Sequence, residues 1–473
     1  MTFVQPAFAV FFAVVFTAYL ALGLAGSRGG ADAAAVGRPF VGLRLQNVLL
    51  LVASAVFYGW EHPEWVALLY FSAGVDYVAA IGMERRPAFK GGLLALSLTV
   101  NLLLLGWFKY AGFAATNLQA LGLDVPGVEV VLPAGISFYT FQSMSYTIDV
   151  YRGRLPACQN LRDYFVFVSF FPQLVAGPIE RAPDLLRQVQ APRTVTLAGV
   201  GAGLQRMLWG FVLKCMVADN VAVYVDRLFG LSALSLPLTL AGAFAFSVQI
   251  LADFNGYSEI ARGAAQCLGF QLSPNFLHPY LAANPTEFWR RWHVTFSSWI
   301  RDYLYIPLGG SQGSWLRVAS VTIVTFLLSG LWHGASWNFV AWGAWHGALV
   351  VLYRLADPLV RRAPRLVTVP VFFALTVVGW GFFRQTNLAA LRETLTHPWP
   401  TLPGSERVVG AVVVAVGLGG GAVLVAGLLA ERFVIPRLGA ARPAFVAGYV
   451  SLCLTLLFFW TRTNADAFIY FRF

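Results

Sequence analysis

Charge is scarce in this chain of 473 residues: only 12% are Asp, Glu, Lys or Arg, about half the share in a soluble domain. Hydrophobic residues make up 58%, and the mean hydropathy is +0.67. The shortage of charge excludes a string of water-facing domains, each of which would need a charged exterior. Lipid must solvate most of the surface. Cysteine is also rare, and Cys158, Cys215, Cys267 and Cys453 form no C-x-x-C pair. Neither a zinc centre nor a disulfide framework is supported. The sequence lacks an H-E-x-x-H, EF-hand or P-loop pattern and has no evident repeat. Gly309-Gly310-Ser-Gln-Gly313 has no Walker lysine and reads as a turn. Gly417 to Gly421, inside an apolar run, reads as close helix packing.

What is present is basic and confined to short loops. The 33 Lys and Arg against 22 Asp and Glu give a formal charge of +11, which orients a membrane protein and does not indicate nucleic acid. Apolar segments near the length of a bilayer span fall at 3–25, 43–60, 65–83, 92–113, 129–150, 199–220, 237–255, 317–333, 335–356, 366–384, 407–430 and 443–460. The expected fold is all-α and polytopic, with about 11–13 transmembrane helices in a single membrane domain over 1–473. Within it, 1–113 supplies N-terminal helices, 114–356 the core and 357–473 C-terminal helices. The positive-inside rule puts Arg28/Arg38/Arg44, Arg85/Arg86/Lys90, Arg152 to Arg193, Arg361/Arg362/Arg365 and Arg432/Arg437/Arg442 in the cytoplasm and both termini outside. The run from Phe3 to Ala25 has no Lys or Arg before it, so it reads as a retained span, with cleavage near Gly23 to Ser27 the minor alternative.

Two stretches break this pattern. Tyr164 to Pro178 is short for a span, contains Pro172, and has basic residues on both flanks. Both flanks therefore belong on one side, which predicts a re-entrant segment over 164–178 beside an internal cavity; a hairpin lying on the surface is the alternative. Asn284 to Leu304 carries Trp289, Trp292, Phe296, Trp299/Ile300 and Tyr303 at helical spacing, after an Asn284 cap and Pro285 at the first helical position. It predicts an interfacial amphipathic helix over 284–304, for which a plain membrane anchor accounts for everything except His293.

There are six histidines. His62 and His397 read as loop residues beside prolines. His333, between Gly330 and Gly334 at the break between two apolar spans, is the leading functional candidate, because ionisable groups at membrane depth are costly. A neutral imidazole there can take a proton from a hydroxyl, as O-acyl transfer from a thioester requires; a histidine packed against a backbone carbonyl is the structural alternative. His346 follows thirteen residues later, a rotation of about 220° on a continuous helix. The pair would then not share a face, and no metal site is expected. Asp253 and Glu259 sit near membrane depth, and Asp253 is placed to orient a base or to pair with Arg290 or Arg291.

Five ordered motifs now carry a resemblance: Phe170 to Ile179, Asp253-Phe-Asn-Gly-Tyr-Ser-Glu-Ile-Ala261, Glu287-Phe-Trp-Arg-Arg-Trp-His293, Arg301 to Gly310, and Gly330-Leu-Trp-His-Gly-Ala-Ser-Trp-Asn338, with the terminal Phe468 to Phe473 also fitting. In these the chain resembles the membrane-bound O-acyltransferase (MBOAT) family, in its bacterial branch of alginate O-acetyltransferases and teichoic-acid D-alanyl transfer proteins. Asn255, Glu259 and His278 depart from that branch's common residues. The resemblance implies helices ringed around a thinned centre, with His333 as the catalytic histidine and His293 as the second motif histidine. Expected substrate-binding residues are Asp253, Tyr257, Arg290, Arg291, Trp332 and Asn338, and Arg290, Arg291 and Arg301 are expected to attract phosphates. Pairing of these arginines with anionic lipid is their alternative.

The expected enzyme is an O-acyltransferase of the bacterial inner membrane, with no bound cofactor and with acetyl-CoA or another acyl thioester or acyl carrier as donor. Its expected partners are the bilayer and a periplasmic acyltransferase that passes the group to an envelope polysaccharide. Lipid or protein acceptors are the alternative within this chemistry. A polysaccharide or lipid transporter with proton-relaying histidines is the rival class, but transporters often show interrupted helices in matching halves, and 164–178 has no such counterpart.

Overall fold

The computed structural model describes residues 1–27, 41–175, 177–231, 234–385, 388–396, 398, 404–434 and 442–461. Arg28, Arg38, Arg437, His397 and the terminal 468–473 motif lie outside them. No strand occurs among the described residues. Nine helices there are long and apolar enough to cross a membrane, and 42–58 and 445–460 are shorter apolar helices. The chain is an all-helical, multi-pass membrane protein that folds as two compact units, 1–207 with 258–273 and 208–257 with 274–473.

The first unit contains α1 (Pro6–Ser27), α2 (Val41–Tyr58), α3 (Glu64–Arg85), α4 (Lys90–Leu105), α5 (Ala111–Ala120), α6 (Ile136–Tyr151), α7 (Leu161–Ser169), α8 (Phe171–Leu174), α9 (Ala182–Gln190) and the start of α10 (Leu197–Phe211). The expected span at 129–150 is corrected here. Helix α6 begins only at Ile136, after Pro133 and a left-handed Gly135, and fourteen of its 16 residues are buried. Its side chains include Thr140, Gln142, Ser143, Ser145 and Thr147, all buried, so it is an internal polar helix and not a lipid-facing one.

The segment over 164–178 is a broken helix. Helix α7 stops at Ser169, Phe170 leaves helical geometry, and α8 makes one turn with Pro172 in its first positions. Nine residues in α7 rise about 13 Å, too short for a crossing. The break exposes backbone groups that the protein itself satisfies. The Phe167 carbonyl accepts from Gln142 at 2.7 Å and Gln173 at 2.8 Å, and the Phe171 N–H donates to Ser54 Oγ at 3.0 Å. Arg193 fastens the same unit, donating to Tyr19 Oη at 2.7 Å and Asn47 Oδ1 at 2.7 Å. Asn47 in turn reaches Asp163 at 2.9 Å.

Just past the break, Glu180 is 1% exposed and accepts from the Ser273 N–H at 2.6 Å and its hydroxyl at 3.1 Å. Burial pushes its carboxyl up from 4.5 to about 7.

The second unit contains α11 (Asp219–Phe229), α12 (Leu236–Cys267) up to Tyr257, α13 (Pro285–Trp289), α14 (Val294–Ile300), α15 (Trp315–His333), α16 (Trp337–Val360), α17 (Arg365–Arg384), α18 (Leu388–Thr396), α19 (Gly404–Leu429) and α20 (Arg442–Trp460). Its centre is the α15–α16 hairpin. A Cβ on Gly330 would lie 2.2 Å from the Phe339 carbonyl oxygen, and one on Gly343 2.3 Å from that of Phe326. The two backbones touch because neither position carries a side chain. The turn of Gly309, Gly310 and Gly313 has positive φ at all three, and Gly417 packs against Ala245, both as the sequence indicates. All four cysteines are buried and none is in a disulfide.

Two outcomes follow from this packing. Gly343→Ala should cost about 1–3 kcal/mol of stability, read as a lowered thermal midpoint in detergent, whereas Gly448→Ala, with open space at its Cβ, should leave the midpoint in place. For Glu180, the folded state holds its proton more tightly than the unfolded state. Wild-type stability relative to Glu180→Gln should therefore be constant below about pH 4.5 and fall as pH rises through about 7; a flat difference across that window would contradict the assignment.

Candidate active site

The site grows from the end of α15 and the broken segment before it. The continuous amphipathic helix expected over 284–304 is corrected. Asn284 does cap, accepting from the Glu287 N–H at 2.8 Å, with Pro285 following. The helix then stops at Trp289 and resumes at Val294, because His293 adopts a left-handed conformation with φ 42°. Backbone bonds to the 275–277 loop replace those lost in the break. The Leu277 N–H donates to the Arg291 carbonyl and the Val294 N–H to the Asn275 carbonyl, each at 2.9 Å. The kink turns His293 inward, where it is 0% exposed, its ring 4.6 Å from that of Phe254 and 5.0 Å from that of Phe296. Burial pushes its imidazole down to about 3, so it is neutral at physiological pH. Phe288, Trp292 and Phe296 are buried with it, which removes the simple surface-anchor reading.

His333 is the last residue of α15, and Gly334 leaves the helix in extended geometry. Its ring lies 4.9 Å from Trp342, 5.1 Å from Trp332, 5.4 Å from Phe296 and 5.5 Å from Phe383. Phe296 thus touches both motif histidines, and its ring stacks on Trp332 at 4.1 Å. The rotation argument separating His333 from His346 assumed a continuous helix. The hairpin ends that assumption, and both imidazoles meet Trp342, each at 4.9 Å. His346 stacks on Phe288 at 6.0 Å and sits 5.1 Å from Trp289, with Gly379 of α17 close against its ring. Among the described residues no group of three metal-ligating side chains forms.

A cavity of about 410 Å³ opens beside these residues. Thr322, Thr325 and Ser329 line one wall and share the helical face of His333, at eleven, eight and four residues before it. Arg290, Arg301 and Arg354 line it as well, with Tyr305. Arg354 donates to Tyr305 Oη at 2.9 Å and Ser311 Oγ at 3.2 Å, and Arg301 forks onto Asp302 at 2.7 and 3.2 Å. Exposure is graded. Arg290 and Arg301 are exposed, while Ser329 and Phe296 are 3% and 1% exposed. Among the described residues His333 does not itself line the cavity; Phe296 belongs to both.

The other residues singled out in the sequence lie elsewhere. Asp253 does not pair with Arg290 or Arg291. Its carboxylate meets the buried Lys214 ammonium at 3.1 Å, which also pairs with Asp219 at 2.7 Å. Tyr257 lies under the same ammonium at 5.8 Å. Arg291 turns to Glu287 at 2.7 Å, and Asn338 donates to the Gln385 carbonyl at 2.9 Å while also bonding the Ser336 hydroxyl. Glu259 is held by Arg206 at 3.0 Å and Arg262 at 2.5 Å. His62 stacks on Trp65 at 4.1 Å, and His278 lies 3.7 Å from Glu431. Arg354 and Ser329 were missed, although an arginine inside an apolar span and a hydroxyl one turn before a histidine are both legible signals.

Comparison with known proteins fits this geometry. Residues 92–381 match the MBOAT, membrane-bound O-acyltransferase family model. The chain is 42% identical to the probable alginate O-acetylase AlgI of Azotobacter vinelandii over 360 residues, covering 73% of this chain and 71% of that protein. It is 32% identical to the peptidoglycan O-acetyltransferase of Helicobacter pylori, covering 73% and 72%. It is 27% identical to the teichoic acid D-alanyltransferase of Bacillus subtilis, covering 47% and 59%. With the family model covering well over half of its length, and the histidine-bearing helix break and hairpin inside the match, the chain belongs to the membrane-bound O-acyltransferase family.

Proposed function

We propose that this protein, in the bacterial inner membrane, O-acylates an extracytoplasmic envelope polysaccharide, using a cytoplasmic acyl thioester as donor and His333 as general base. The observation that carries the reading is the position of His333, buried at the end of α15 on the same helical face as a hydroxyl-lined cavity that leads out to exposed arginines. The relatives named for O-acetylation of alginate and of peptidoglycan support acetyl as the group and a glycan as the acceptor.

In this reading, imidazole takes the proton of the acceptor hydroxyl as its oxygen attacks the thioester carbonyl. The carbon–sulfur bond breaks, and the thiolate takes back the proton from imidazolium. The aromatic walls around His333 keep bulk water from competing for the acyl group. Arg290, Arg301 and Arg354 offer guanidinium donors to the phosphates of a coenzyme A or carrier arm. The acyl group would then pass directly to the glycan or to a periplasmic transferase.

His333→Ala should lower transfer of labelled acetyl from acetyl-CoA into extracytoplasmic polysaccharide by about 10²–10⁴-fold, with membrane insertion and thermal midpoint retained; unchanged transfer would end the assignment. Arg354→Ala should raise the donor KM at least about tenfold, since a charged hydrogen bond contributes about 1.5–3 kcal/mol. Arg291→Ala, whose partner is Glu287, should instead lower the thermal midpoint and leave that KM in place.

A further inference from the structure

We propose that Phe296 is the specificity-determining residue that limits the transferred group to a short acyl chain. The proposal rests on the thioester-to-hydroxyl reading of His333 and specifies its donor. Phe296 lines the cavity, with its ring 5.4 Å from that of His333. That ring is 1% exposed and stacks on Trp332 at 4.1 Å with an interplanar angle of 28°, so it cannot swing aside without losing the stack.

Aromatic rings also flank His333, with Trp342, Trp332 and Phe383 at 4.9, 5.1 and 5.5 Å. A donor entering past the arginines brings its carbonyl carbon up beside Phe296, where a hydroxyl activated by His333 can reach it. A methyl group beyond that carbon occupies the space at the edge of the ring. Further methylenes run into the Phe296–Trp332 stack, and an apolar wall of this kind discriminates about tenfold or more per added methylene.

The test measures kcat/KM of the full chain in detergent for acetyl-CoA and hexanoyl-CoA, with a de-acetylated mannuronate oligosaccharide as acceptor. Wild type should favour acetyl, and Phe296→Ala should lower the acetyl-to-hexanoyl ratio at least tenfold, with Phe296→Leu intermediate. Phe296→Leu keeps an apolar side chain in the stack and supplies the reading if the alanine variant does not fold. A ratio unchanged in a folded Phe296 variant, while His333→Ala abolishes transfer, overturns the chain-length role alone. Full activity in His333→Ala overturns the underlying reading as well.

Discussion

A polar group left unsatisfied in hydrocarbon costs several kcal/mol, and no water is at hand to relieve it. Most of the irregular features in this molecule are answers to that constraint. Where α7 breaks at Phe170, two glutamines supply donors to the freed Phe167 carbonyl and Ser54 an acceptor to the Phe171 N–H. Where the backbone breaks again at His293, the 275–277 loop exchanges main-chain bonds with it. Lys214 is buried only with two carboxylates around it. Irregular backbone is therefore concentrated where its partners are already arranged.

The setting of His333 depends on the same economy of polar groups. Its imidazole is buried at the end of a helix, among aromatic neighbours. The hairpin fixes that position by backbone contact at Gly330 and Gly343, which leaves no slack for the helix end to drift. The cavity beside it is lined by aromatic rings, buried hydroxyls and the exposed arginines Arg290 and Arg301.

Much of this is legible in the amino-acid sequence. The scarcity of charge identified lipid as the solvent, apolar length located most of the spans, and flanking glycines at a break between two spans singled out His333. The helix break within 164–178 was legible because Pro172 interrupts an apolar run that is already short for a span. Three features were not. The polar helix α6 resembles a span by its aromatic content, and only its packing shows that both faces are internal. The left-handed turn at His293 is invisible to helical periodicity, since every residue around it fits a continuous amphipathic pattern. The pairing of Arg354 with Tyr305 is the third: the arginine itself stands out in an apolar span, but a partner about fifty residues away is a tertiary fact.

The main-chain exchange at the His293 turn has a consequence for how this site can vary. Its two bonds run between backbone groups, so the direction in which His293 projects is set by the path of the chain and not by the side chains of residues 276 and 277. Those positions are free to serve other purposes, as Phe276 does in packing against Phe254 and Trp292. The loop acts as a template for the histidine, and the outer surface it presents can drift in sequence while the geometry beneath it is inherited unchanged.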